Sequence, residues 1–162
     1  MTIRPATEQD IEALCRLFVE FHNFHADGVP GDRLRNLGPP EAFDCAEFTK
    51  SVTQILSDSD AVVLVADTGP QLVGMAEVYV KVDAAEPTKP SRKYGYLQSL
   101  MVRSDQRRQG IATRLVEQAE QWAREQGVHE MRLETWEFDG GPNLFYEGIG
   151  YQTFRRMWVR HL

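Results

Sequence analysis

The sequence predicts a mixed α/β fold, with a central sheet of six to seven strands and about four flanking helices, in one domain over residues 1–162. Two apolar runs, 61–66 and 72–82, are separated by a short turn and indicate a β-hairpin. A strand, an amphipathic helix and a further strand follow between residues 94 and 136, which is the pattern of a crossover connection. Segments with helical periodicity before the hairpin supply layers that would cover the sheet.

The N-terminal part is predicted to form a short strand and two helices. The strand covers Thr2 to Ala6, and Thr7 or Asp10 is placed to cap a helix that continues through Phe24. The buried face of this helix is defined by residues at three- and four-residue steps, namely Ile11, Leu14, Cys15, Phe18, Phe21 and His22. A loop rich in Gly and Pro is predicted from Ala26 to Pro40, and a second helix from Pro40 or Glu41 to Leu56.

The C-terminal part is predicted to contain the crossover and a closing hairpin. A loop from Ala84 to Lys93 leads into a strand from Tyr94 to Val102, and the helix after it is stopped by Gly127. The apolar face of that helix consists of Ile111, Leu115, Ala119 and Trp122. The remaining predicted elements are a strand over Met131–Trp136, a short helix over Pro142–Gly148, and one or two closing strands from Tyr151 onward.

Composition excludes several functional classes. The net charge of −6 argues against a surface that binds nucleic acid, and no apolar run approaches the about 20 residues of a membrane span. The N-terminus lacks the regions of a signal peptide, so we expect a cytoplasmic protein without membrane or nucleic-acid partners. Cys15 and Cys45 are interpreted as a buried thiol and a loop thiol, and neither has a metal-ligand neighbour, so no metal is expected.

The stretch from Leu100 to Thr113 has the composition of an anion site. It leaves an apolar run and enters a helix, whose first N–H groups lack helical partners and whose dipole is positive at that end. Gly110 lets a ligand approach the backbone, and Arg107 and Arg108 add positive charge. These residues predict a ligand that carries phosphate groups.

Two motifs give the chain a resemblance to a known family. Arg107-x-x-Gly110-x-Ala112 resembles the acetyl-coenzyme A loop of the GNAT family of N-acetyltransferases, and the segment from Trp136 to Tyr151, with its Phe145-Tyr146 pair, resembles the family's second signature. The resemblance implies the GNAT fold, in which the fourth and fifth strands splay apart, and acetyl-CoA as cosubstrate. It implies that the pantetheine arm of the cosubstrate binds along Leu100, Met101 and Val102. It implies that the pyrophosphate binds at the following loop and helix start, formed by Arg107, Arg108, Gln109, Gly110, Ile111, Ala112 and Thr113.

The resemblance also suggests the catalytic groups. Tyr146 matches the tyrosine that protonates the departing thiolate. Many relatives carry a carboxylate base late in the fourth strand, but this chain has Gln98 and Ser99 there, so the base is left open between Glu77 and Glu134. His22 and His25 titrate in a suitable range but are more typical of a helix surface or core. Neither cysteine lies in a signature, so direct attack by the amine is expected.

One cosubstrate contact departs from the family pattern. Asp139 stands where relatives more often have Asn, seven residues before Tyr146. An Asp can cap the short helix but cannot donate the hydrogen bonds of an amide, and Asn143 is the residue that could replace it.

The predicted function is therefore acetyl transfer from acetyl-CoA to a primary amine. Acidic residues near the expected acceptor site favour a small cationic amine, namely Asp27, Asp32, Glu41 and Asp44. A protein Lys or N-terminal acetyltransferase, and a non-catalytic acetyl-CoA sensor or interaction module, are the alternatives. A homodimer contact is suggested by three apolar residues of the last segment, Met157, Trp158 and Val159.

Overall fold

The computed structural model describes residues 1–30, 44–158 and 160, which form one sheet and four α-helices. The strands are β1 (Thr2–Pro5), β2 (Ala61–Asp67), β3 (Leu72–Asp83), β4 (Arg92–Val102) and β5 (Met131–Arg132). The helices are α1 (Ile11–Gly28), α2 (Cys45–Leu56), α3 (Ile111–Glu125) and α4 (Asn143–Gly148). The mixed α/β class and the number of helices are confirmed, whereas the prediction of six to seven strands is wrong because the described residues form five.

The sheet has the order β1-β2-β3-β4-β5, with antiparallel neighbours from β1 to β4 and a parallel β4–β5 pair. The β2–β3 hairpin closes through a turn in which Gly69 has a φ of +91° and donates its N–H to Asp67 Oδ1 at 2.7 Å. Helix α3 makes the crossover between β4 and β5, as the sequence predicts. It ends just before Gly127, whose φ of +73° suits a glycine after a helix.

Two apolar cores cover the two faces of the sheet. The α3-side core contains Leu64, Ala66, Val73, Ala76, Val78, Leu97, Val102, Ile111, Leu115, Val116 and Ala119. The α1-side core contains Leu14, Leu17, Val52, Val63, Val65, Leu72, Met75 and Met101. Because side chains alternate along a strand, β3 and β4 contribute residues to both cores. Side chains of these two strands therefore lie on one face of the sheet or on the other.

A β-bulge interrupts β4 at Gln98. Leu97 pairs with Val78 and Ser99 pairs with Glu77, so the exposed Gln98 is the extra residue in β4. Beyond the bulge β4 separates from β5, which pairs with it only at Gly95 and Tyr96. The described part of the chain therefore offers Leu97–Val102 no strand partner on the β5 side, and this is the splay that the resemblance implies.

The missing strands belong to the C-terminal segment. The predicted strand Met131–Trp136 is reduced to the two residues of β5, and the closing strands expected from Tyr151 onward do not form within 151–158. The physical reason is that a two-residue β5 offers a returning segment almost no ladder of backbone hydrogen bonds. Phe154, Met157 and Trp158 are accordingly exposed, and Val159 lies outside the described residues.

The interpretation of the cysteines as two separate thiols is wrong. Cys15 and Cys45 form a disulfide, with their Cα atoms 6.0 Å apart. Cys15 lies on the buried face of α1, and Cys45 is the first residue of α2 rather than a loop residue. The pair arises because α1 and α2 pack side by side, a contact between residues 30 positions apart that local patterns do not reveal.

Helix bounds differ from the predictions at the end of α1, and α2 begins at Cys45. Helix α1 continues to Gly28, so 26–28 belong to a helix and not to the predicted loop. Asp44 caps α2 by accepting hydrogen bonds from the N–H groups of Ala46 and Glu47, at 2.8 and 3.2 Å. Residues 31–40 of the predicted loop and the predicted start of α2 at Pro40 or Glu41 lie outside the described residues.

A charged cluster joins β1 to the start of α1. The Arg4 guanidinium donates to both carboxylate oxygens of Asp10, at 2.8 and 2.9 Å, and to Asp67 at 2.9 Å. Asp10 also accepts from the N–H of Thr7 at 2.8 Å, which caps the short 3₁₀ turn before α1. These contacts, with Arg4 the largest, lower the pKa of the buried Asp10 from 3.8 to about 2.

We expect this cluster to stabilise the fold above pH 4 and to lose its effect in acid. Because the pKa of Asp10 is lower in the folded than in the unfolded state, its contribution of about 2 kcal/mol is complete above 3.8 and disappears as the pH falls through 2. Asp10→Asn should remove most of it at pH 7, as measured by urea unfolding between pH 7 and pH 2. The control is Glu12→Gln, which breaks an exposed pair with Arg16 and should cost less than about 1 kcal/mol. Equal effects of the two variants would contradict the prediction.

Candidate active site

The predicted anion site is a tight turn that delivers the chain into α3. A 3₁₀ turn at Ser104–Gln106 precedes it, and Arg108 and Gly110 both adopt positive φ, at +62° and +75°. The first hydrogen bond of α3 runs from the N–H of Arg114 to the carbonyl of Gly110 at 3.1 Å, so the N–H groups of residues 111–113 have no helical carbonyl to bind. Apart from its own chain neighbours, no atom of the described residues lies within 4 Å of the position that a Cβ on Gly110 would take. An anionic ligand therefore has open access to these N–H groups.

Arg107 connects this turn to β4 and to α1. Its Nε donates to the carbonyl of Val102 at 3.1 Å, and its guanidinium lies 4.8 Å from the centre of the Phe24 ring. Phe24 in turn contacts Phe138, in the loop after β5, with 5.6 Å between ring centres. Arg107, Arg108 and Gln109 are all exposed, but Arg107 is held by these two contacts within the protein.

The β4 edge leads directly into this turn. Leu100, Met101 and Val102 keep their pairing with β3 and have no strand on the other side in the described parts of the chain. Leu100 packs against the α3-side core, while Met101 belongs to the α1-side core. The carbonyl of Val102 already accepts from Arg107. The other backbone groups of this edge are placed to bind an extended ligand as a neighbouring strand would.

Tyr146 lies on α4, on the α3 side of the sheet. It packs against the same core as Leu100, and its ring lies 5.1 Å from that of Phe145 and 5.8 Å from that of Tyr151. Burial raises the pKa of its hydroxyl above the ordinary value of 10.0. Tyr146 is therefore protonated at neutral pH and can act as a proton donor but not as a base.

Asp139 and Asn143, the two other residues considered in the second signature, differ in their contacts from what the sequence suggested. Asp139 is exposed in a turn closed by a hydrogen bond from the N–H of Gly141 to the carbonyl of Phe138 at 3.0 Å. It does not cap α4, because that helix begins at Asn143 without a side-chain cap. Asn143 Oδ1 instead accepts from the hydroxyl of Thr135 at 2.6 Å, which ties α4 to the segment after β5.

Glu77 is a buried carboxylate at the β-bulge of β4. It is 8% exposed, and it accepts hydrogen bonds from the hydroxyls of Ser99, at 2.8 Å, and Tyr79. Glu77 is two residues from Met75 and Ser99 is two residues from Met101, so both side chains point to the α1 side. In the described residues no Lys, Arg or His lies within ion-pair distance of this carboxylate. The carboxylate thus contacts Ser99, one of the two positions at which the resemblance led us to expect a base.

The other candidate bases have different surroundings. Glu134 is exposed and lies 3.6 Å from the guanidinium of Arg155. His25 Nδ1 is 2.9 Å from the carbonyl of Phe21, and its ring packs among Phe21, Phe24 and Phe138. His22 also lies on α1 and has contacts of its own. The structure therefore brings Glu77, and neither Glu134 nor His25, into contact with Ser99.

Sequence reasoning missed the partners of these groups. The sequence indicates that Glu77, Tyr79 and Lys81 lie on one face of a strand, because they are two residues apart. It does not show which face of the sheet that is. The contact of Arg107 with Phe24 had no signal, because the two residues are far apart in the chain.

Among the described residues, no helix is long and apolar enough to cross a membrane. The same residues contain no group of three side chains that could hold a metal ion.

Comparison with known proteins identifies the family. The profile of the acetyltransferase (GNAT) family matches residues 31–151, which is most of the chain and includes both motifs. The chain belongs to this family. The rat (Rattus norvegicus) protein N-acetyltransferase 8B is 38% identical over 109 residues, which cover 67% of this chain and 46% of the rat protein. This GNAT chain thus spans about half the length of the curated relatives that it matches first.

Two further GNAT proteins are similar over more of their own length. Aminoglycoside N(6')-acetyltransferase type 1 of Acinetobacter haemolyticus is 31% identical over 112 residues, covering 69% of this chain and 77% of that protein. The solved structure of the aminoglycoside N-acetyltransferase AAC(6')-Iy in complex with CoA superimposes with a TM-score of 0.74 at 17% identity, covering 99% of this chain and 93% of that one. At that identity the superposition supports the shared fold alone.

Proposed function

We propose that this GNAT protein transfers the acetyl group of acetyl-CoA to a primary amine of a small molecule. The observation that carries the proposal is the open edge of β4 at Leu100–Val102, which leads without interruption into the unpartnered N–H groups at the start of α3. An extended amide-bearing arm fits the edge, and a pyrophosphate fits the helix start. A relative of known structure binds CoA, which supports the same cosubstrate here.

The cosubstrate contacts proposed here follow the sequence motif. The pyrophosphate would bind the N–H groups of Gly110, Ile111, Ala112 and Thr113, with Arg108 and Gln109 at its exposed side. Arg107 would contribute charge from its fixed position between Val102 and Phe24. Asp139 and Asn143 are proposed as further contacts of the cosubstrate, and Asn143 already accepts a hydrogen bond from Thr135.

Glu77 and Tyr146 supply the two proton transfers that the reaction needs. In the proposed reaction the amine loses a proton to the Glu77 carboxylate and attacks the thioester carbonyl carbon. The C–S bond then breaks, and the departing thiolate takes the proton of the Tyr146 hydroxyl, leaving an N-acetyl amide and free CoA. The two groups lie on opposite faces of the sheet, with β4 between them. This arrangement suits an amine that approaches the reacting carbon from one side and a thiolate that leaves it on the other.

The acceptor is proposed to be a small molecule because the relatives in this family include an enzyme whose name specifies an aminoglycoside. The cationic character expected from the sequence stays a prediction, since Asp44 caps α2 and Asp32 and Glu41 lie outside the described residues. A protein acceptor has no specific observation in its favour. The sensor alternative was motivated by the lack of a carboxylate at Gln98 and Ser99, and the contact of Glu77 with Ser99 supports the transferase proposal instead.

Location and assembly are proposed only from the sequence and two structural facts. A cytoplasmic location stays a prediction, and the Cys15–Cys45 disulfide is a bond that reducing compartments seldom preserve. A homodimer through the C-terminal segment also stays a prediction, motivated by the exposure of Met157 and Trp158.

The proposed function is tested by titrating the protein with acetyl-CoA in a calorimeter and then following thiol release with a panel of amines, amino acids and peptides. We expect saturable binding and thiol release that requires a small amine. Binding without release from any amine would contradict the transferase assignment. Failure to bind acetyl-CoA would contradict the cosubstrate itself.

A further inference from the structure

Lys81 lies on the same face of the sheet as Glu77. The two residues are four positions apart on β3, with Tyr79 between them in the alternating pattern, so all three side chains point to the α1 side. Tyr79 pairs across the sheet with Tyr96 of β4. On this face of the sheet, the side chains next to Glu77 along the strands therefore include two tyrosine rings and one lysine.

The ammonium of Lys81 lies against these rings. Its Nζ is 3.6 Å from the centre of the Tyr96 ring and 5.7 Å from that of Tyr79. Tyr79 in turn donates its hydroxyl hydrogen bond to Glu77. The position of the ammonium is thus fixed relative to the carboxylate through a continuous series of contacts.

Lys81 forms no ion pair with a carboxylate of the described residues. The nearby Glu134, which with burial raises the pKa of Tyr96, is paired with Arg155. On the same side Arg132 is paired with Asp83 and Glu130. A cation that packs on aromatic rings and has no counter-ion is ready to bind an anionic group.

We propose that Lys81 selects acceptors in which the primary amine is joined to an anionic group. The inference rests on the proposed function and specifies its substrate class. The amine would approach Glu77 and the anionic group would contact the ammonium of Lys81, with the rings of Tyr79 and Tyr96 beneath the connecting chain. This differs from the cationic acceptor that the acidic residues of the sequence favour, because a second positive charge at this place would be repelled.

The test uses three acceptors of equal length that differ in one end group: γ-aminobutyrate, butylamine and putrescine. We expect kcat/KM to be highest for γ-aminobutyrate. Lys81→Met should lower that value about tenfold, mainly through KM, and leave butylamine within about twofold. Lys81→Glu should lower it further and raise the value for putrescine. If the amine panel identifies a larger acceptor, the same three end groups are placed on its skeleton.

Lys93→Met is the matched control. Lys93 lies on β4 beside Val82, on the other face of the sheet, and its ammonium donates to the carbonyl of Gln126 at 3.0 Å. This variant should leave the preference unchanged. A wild-type preference for putrescine or butylamine, or a preference that survives Lys81→Met, would overturn the inference while leaving the transferase intact. Absence of turnover with every amine, despite acetyl-CoA binding, would contradict the proposed function instead.

Discussion

Glu77→Gln is expected to lower kcat at least about a hundredfold, because a general base typically contributes two to four orders of magnitude. The amide keeps the shape of the side chain and can accept from one of the two hydroxyls of Ser99 and Tyr79 while it donates to the other, but it cannot take a proton from the attacking amine. Affinity for acetyl-CoA should not change, because Glu77 lies on the α1 side and the cosubstrate edge leads to α3. Steady-state kinetics and calorimetry on the same preparation measure the two quantities.

Glu134→Gln is the matched control for this experiment. Glu134 was the other carboxylate that the sequence allowed, and it is exposed and paired with Arg155. We expect its loss to change kcat less than about threefold. A large effect at Glu134 together with a small effect at Glu77 would reverse the assignment of the base. Raising the pH should partly restore the Glu77→Gln variant, because more of the amine is then already neutral.

The position of Glu77 shows what sequence reasoning could and could not provide. The sequence limited the candidate bases to Glu77 and Glu134, because Gln98 and Ser99 stand where the resemblance implies a carboxylate. The contact between them depends on the pairing register of β3 and β4 and on the bulge at Gln98, which shifts that register by one residue. Neither the register nor the bulge has a local signal in the sequence, so the base was left open.

The local structure around the proposed anion site was predicted more completely because its elements are close together in the chain. Its parts are an apolar strand end, a turn and a helix start within about a dozen residues, and the structure reproduces each of them. The pair Cys15–Cys45 and the missing closing strands are the opposite case, because each depends on contacts between distant segments. The terminal segment from Tyr151 has a strand-like sequence, yet a two-residue β5 provides too little edge for it to pair with.

Tyr146→Phe is expected to reduce kcat by about a hundredfold while KM for acetyl-CoA stays nearly constant. The substitution keeps the ring that packs against the α3-side core and removes only the hydroxyl, so the fold should be retained. The departing thiolate would then take its proton from water, which is less favourably placed than a fixed phenol. Stopped-flow measurement of thiol release, with far-UV circular dichroism to check folding, measures the effect.

The raised pKa of Tyr146 gives this prediction a pH signature. Because burial keeps the hydroxyl protonated above its ordinary pKa of 10.0, the donor should not be lost as the pH rises to 10, and wild-type kcat should show no alkaline decline from this group. Tyr151→Phe is the matched control, since Tyr151 contacts Tyr146 and donates to Glu120 at 3.1 Å on the side of α3. It should leave kcat within about threefold. If both variants lose activity equally, the hydroxyl of Tyr146 supports packing and does not donate the proton to sulfur.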